Sequence, residues 1–149
     1  MKDLDNIRPH FDLMIHRWIR NGQEQFFAKK QIVESENQFE IRDAKERLAF
    51  FECEAGVIRD ELVALFVEKP AKQPTFCDKY EFQLQQIWSA NNDIVRTKRL
   101  IVKAVMKNNK IEEAEFRDEL KSKKVKAELA TERLYITLIT AAHDEQRIA

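Results

Sequence analysis

The side chains best suited to nucleophilic or metal chemistry are three histidines, His10, His16 and His143, and two cysteines, Cys53 and Cys77. Their spacing assembles no centre. His10 and His16 are six apart and do not share a helical face, and no Glu-x-x-His pattern exists to build a carboxylate-bridged di-iron site. Glu52 and Glu54 point apart on a helix and make a poor catalytic pair. Neither cysteine has a basic or histidine neighbour in sequence to lower its pKa, and the two form no CxxC pair. No Gly-rich loop is present to cradle a phosphate. The reading is therefore of a non-enzyme: no catalytic residue, no metal, no cofactor and no small-molecule substrate.

The charge-bearing feature with most content is Ile94 to Lys110, which holds Arg96, Lys98, Arg99, Lys103, Lys107 and Lys110 and no acid. On a helix Arg96, Arg99, Lys103, Lys107 and Lys110 fall in one narrow strip, with Ile94, Ile101, Val102, Ala104 and Val105 on the other side. Such a strip suits an anion, either an acidic protein face or a phosphate backbone. The favoured reading is nevertheless a solvated face complementing acids elsewhere in the fold. Residues 34–61 hold nine acids against four bases, so an internal counterpart exists. No aromatic side chain is interleaved, and a stacking platform for single strands is missing.

Helices must position all of these groups. From Thr75 to Ala149 there is neither glycine nor proline, and the whole chain has only Gly22, Gly56, Pro9, Pro70 and Pro74. Breakers this sparse, beside abundant Glu, Lys, Arg, Gln, Ala and Leu, predict an all-α protein, a long antiparallel helical hairpin or an elongated helical bundle with coiled-coil-like packing and a short N-terminal helix. At 149 residues one domain is expected, with a main turn at 68–77 where Pro70 and Pro74 disfavour helix in the residues before them. The charged fraction is 35% against about 25% in ordinary domains. Ten Phe and two Trp nevertheless supply core. Twenty-six bases balance twenty-six acids, so no global field draws the chain to nucleic acid or membrane. No run approaches the ~20 apolar residues of a membrane span. Acids in Met1-Lys2-Asp3-Leu4-Asp5 stand where a signal peptide would be basic. A cytoplasmic protein with free thiols is expected.

A short first helix is predicted over Phe11–Arg20, stopped at Asn21-Gly22, and a second from about Gln23 to Phe66. Asp78 with Glu81 has capping-box spacing for the returning helix. Asn108-Asn109-Lys110 either breaks that helix, with Asn109 and Glu112 as a second cap-like pair, or is passed through. Leu134 to Thr140, though β-branched, is read as helix. In the second helix Ile41, Ala44, Leu48, Phe51, Ala55, Ile58, Leu62 and Leu65 alternate by three and four, flanked mostly by charge. Glu34 and Asn37 end the register upstream. This seam is expected to pack antiparallel on the helix after Pro74. The opposite side carries Ala49, Phe50, Cys53, Gly56, Val57, Val63 and Ala64, broken by Glu46 and Asp60, and a helix apolar on two sides is usually covered on both. The favoured cover is the N-terminal helix with Phe11, Met14, Ile15, Trp18 and Ile19; the other is a second molecule docking on Phe50 and Val57. Trp18 and Trp88 are either partner anchors or core. The stiff, charged Lys69–Pro74 segment is one more place for a partner.

In organisation the chain resembles the small coiled-coil stalk proteins associated with the ATPases of type III secretion and flagellar export. The points of contact are the heptad helix ending in Leu65-Phe66, the turn around Pro70 and Pro74, the Gln85-Gln86-Ile87 start of the return, and the charged stretch Lys121 to Arg133. The likeness covers about residues 25 to 145 and is one of pattern. It implies a long helical hairpin that engages an export ATPase. Richness in Phe and Trp and the second apolar face point instead to a thicker bundle. Two functional expectations result: a helical protein–protein interaction or adaptor protein, self-association included, or a helical nucleic-acid-binding regulator using residues 96–110.

Overall fold

A computed structural model describes residues 4–68 and 74–148. Among them are four helices, α1 (Arg8–Glu34), α2 (Gln38–Ala64), α3 (Pro74–Met106) and α4 (Lys110–Ile148), and no strand. The expected all-α bundle is what forms. Leu134 to Thr140 is helical within α4, where the Thr137 hydroxyl donates to the Arg133 carbonyl at 3.0 Å.

The helix ends differ from expectation in instructive ways. α1 opens with Pro9 in its first turn, where a missing N–H costs nothing, and runs straight through Asn21-Gly22. Gly22 has no positive φ and so does not terminate the helix. Asn21 is 2% exposed: its amide donates to the Phe51 carbonyl at 2.9 Å and its oxygen accepts from Gln25 at 2.8 Å. These bonds and the surrounding burial outweigh a glycine penalty of about 1 kcal/mol. The break comes at Ser35–Asn37. There the Asn37 side chain accepts from the Phe39 N–H at 2.9 Å and the Glu40 N–H at 3.4 Å, while the Ser35 hydroxyl donates to Glu40 at 2.8 Å. Asn37 is therefore the N-cap of α2, worth about 1 kcal/mol. This is the point at which the heptad register lapses.

Two compact units divide the described residues: 4–68 with the end of α4 from Leu138, and 74–137. In the first, α1 and α2 form an antiparallel hairpin. Arg17 reaches Glu61 at 3.3 Å, Asn21 meets Phe51, and Arg47 bonds Gln31. The α2 seam is real. Ala44, Ala55, Ile58 and Leu62 are buried and Ile41, Leu48, Phe51 and Leu65 half-buried. Its partner, however, is α1 and not the expected helix after Pro74. The reason is that α1 carries its own stripe of matching period: Phe11, Met14, Ile15, Trp18, Asn21, Gln25 and Ala28 are all buried. Phe11 also meets Phe66 edge-to-face at 6.0 Å. Leu138, Ala141 and Ala142 of α4 are buried in the same unit, and both Glu145 carboxylate oxygens accept from the Glu68 N–H at 2.9 and 3.0 Å.

In the second unit α3 and the first part of α4 form another antiparallel pair. Their turn is a Schellman closure. Asn108 sits at φ 55°, its N–H bonds the Val105 carbonyl at 3.0 Å, and the Asn109 N–H bonds the Ala104 carbonyl at 2.9 Å. Asn109 then caps α4 by accepting from the Glu112 N–H at 3.2 Å. The break alternative at Asn108-Asn109-Lys110 is thus the one realised. The Asp78 cap is not, since α3 starts at Pro74 and Asp78 lies one turn inside it. Residues 69–73 of the expected main turn lie outside the described residues, as does the Cys77 side chain.

Candidate interaction surfaces

Reactive side chains stay apart. His10 and His16 are exposed on α1 and His143 on α4. Among the described residues no three of His, Cys, Asp and Glu gather at one point. Glu54 is half-buried and lies 3.4 Å from the Asn21 amide, whereas Glu52 and Cys53 are exposed.

The outer side of α2 is the first surface of consequence. Phe50 is 60% exposed and Val57 47%, and Ala49, Cys53 and Ala64 are exposed with them. Val63 is buried and Gly56 half-buried. Cover by the N-terminal helix was the favoured expectation and is not what the fold does. α1 is one continuous helix committed to the seam, so the face with Phe50 and Val57 remains open. Phe50 makes one edge-to-face contact with its neighbour Phe51 at 5.3 Å. Trp18 is 4% exposed, in the core of the first unit rather than on a surface. Trp88 is half-buried on α3.

The basic residues form the second surface. Arg96, Arg99, Lys103, Lys107 and Lys110 are all exposed. Arg96 pairs with Asp93 at 2.5 Å, and among the described residues Arg99, Lys103, Lys107 and Lys110 have no ion pair. The turn divides the strip, because α3 stops at Met106 and Lys110 opens α4. A cation in the last turn of a helix is also favoured by the helix dipole, which gives Lys103 a structural role of its own.

A third surface had not been anticipated. An open groove of about 520 Å³ runs between α3 and α4 within the second unit. Phe82 and Ala90 from α3 and Leu129 and Ala130 from α4 give it apolar walls. Lys123, Lys126 and Arg133 line it from α4, facing Asp93 of α3, and Lys123 approaches Asp93 to 3.9 Å. Phe82 is 64% exposed. The sequence signal was the small pair Ser89-Ala90, which keeps side chains short where two helices face each other. It becomes readable only once Asn108 is known to fold α4 back on α3.

Comparison with protein-family models, curated proteins and solved structures found no match. No helix among the described residues is long and apolar enough to cross a membrane.

Proposed function

We propose that this is a non-enzymatic, cytoplasmic helical protein–protein interaction or adaptor protein, and that the outer face of α2 is its docking surface. The observation that supports this is the open apolar stripe of Phe50, Cys53 and Val57 on a helix whose opposite face is already used. A coiled-coil stalk that engages a type III secretion-type export ATPase is the most concrete form of the reading. The test is Phe50→Asp and Val57→Asp. Both sites are solvent-facing, so the helical circular-dichroism signal should persist while binding to the partner, or to a second copy, weakens. Unfolding by either variant would make the face internal core and end the proposal.

One observation favours a second reading, a helical nucleic-acid-binding regulator. Arg99, Lys103 and Lys107 are exposed and lack acidic partners among the described residues. In that case double-stranded DNA or RNA binds with an affinity that falls steeply with salt, and Arg99→Glu with Lys103→Glu abolishes it. Binding that is absent, or indifferent to salt, removes this reading.

A further inference from the structure

The outer face of α2 and the groove between α3 and α4 match in spacing, length and charge. Phe50, Cys53 and Val57 stand at i, i+3 and i+7, the anchor pattern by which an amphipathic helix lies in a groove. Asp43, Glu46 and Asp60 flank them, all exposed, on a segment with nine acids against four bases. The groove offers Phe82, Ala90 and Leu129 to apolar anchors and sets Lys123, Lys126 and Arg133 against a single acid, Asp93. Lys126 and Arg133 have no ion pair among the described residues. The acids beside the α2 stripe do have arginine neighbours, Arg42 at 3.6 Å from Glu46, Arg47 at 3.4 Å from Asp43 and Arg59 at 3.5 Å from Asp60. Exposed pairs of this kind are weak and rearrange readily. Along the helix axis the groove wall from Phe82 to Asp93 is about 16 Å and the stripe from Phe50 to Val57 about 10 Å, so the anchors fit with a helical turn to spare.

We propose that the occupant of the α3–α4 groove is the outer face of α2 from a second copy of this chain. The proposal rests on α2 being a docking face. It goes further by naming what that face meets. Packing two α2 faces on each other would place acids against acids, whereas the groove places acids against bases. Each copy carries both halves: reciprocal exchange closes an isologous dimer, and one-way docking is heterologous and extends a chain.

Mass as a function of concentration, by sedimentation of the full chain, decides it. The wild type should associate, and added salt should weaken that association. Phe50→Asp should weaken it about 30-fold, as should Lys126→Glu with Arg133→Glu. Mixing the two variants should restore one contact, because one supplies an intact groove and the other an intact stripe. If Phe50→Asp lowers the helical signal, Phe50→Ser replaces it. A wild type monomeric throughout, or a mixture that stays monomeric, overturns the groove proposal. If Phe50→Asp dissociates the protein and the groove variant does not, the groove fails while the α2 docking face stands.

Discussion

Asn21 is a helix-stop signal by local chemistry and a core residue by tertiary contact. Followed by Gly22, it has the form of a helix end. Its amide instead spans the hairpin to the Phe51 carbonyl and holds Gln25, so two buried polar side chains satisfy each other within an apolar seam. Removing one partner leaves the other desolvated and unpaired. Asn21→Ala should cost about 2 kcal/mol, read as a lower urea midpoint at unchanged slope. The partner lies thirty positions away. No local rule can see it, which explains why the first helix was expected to end at Arg20, fourteen residues before Glu34. By contrast, the cap at Asn109 was legible from its spacing to Glu112; Asn37 with Glu40 has the same spacing, yet the sequence marked Asn37 only as the end of the heptad register within one long helix.

Among the elements, the heptad seam of α2 was readable because it depends only on sequence period, and every one of its eight members is buried or half-buried. Its partner was not, because two helices, one before and one after, offered apolar faces, and the choice turns on where the chain reverses. Asn108 shows how such a reversal is fixed. Its φ of 55° is poorly tolerated by residues other than glycine, asparagine and aspartate. Asn108→Gly should therefore be neutral or slightly stabilising. Asn108→Val should cost about 1–2 kcal/mol, as the β-branched side chain opposes the left-handed turn. Thermal unfolding of the two variants should show midpoints moving in this order. Equal midpoints would mean that α3 and α4 hold the turn without help from its backbone preference. The groove follows from the same reversal, and that is why it could not be read from the chain alone.

For the whole molecule, what matters is the path of α4. It is a single helix from Lys110 to Ile148, yet its residues are divided between the two units at Leu138. Truncation after Thr137 removes Leu138, Ala141 and Ala142 from a core and strips the Glu68 N–H of its carboxylate. Fully burying a leucine alone contributes about 1.5–3 kcal/mol. Amide exchange in α1 and α2 should therefore accelerate markedly in the truncated chain. Protection unchanged in both helices would show that the α1–α2 hairpin is self-sufficient. Composition placed the chain among helical proteins and spacing located the seam. The sharing of α4 depends on contacts between residues some eighty positions apart.

That sharing has a consequence for synthesis. The α1–α2 hairpin leaves the ribosome before α4, and the residues that complete its packing, Leu138 to Glu145, are made some seventy codons after α2 ends. During that interval the nascent hairpin holds apolar surface that it will later cover, and it is then most open to chaperones and to other nascent chains. Pausing translation after α2 has emerged but before residues 138–145 have cleared the ribosome should prolong that interval, and slowing translation before α2 is made should not.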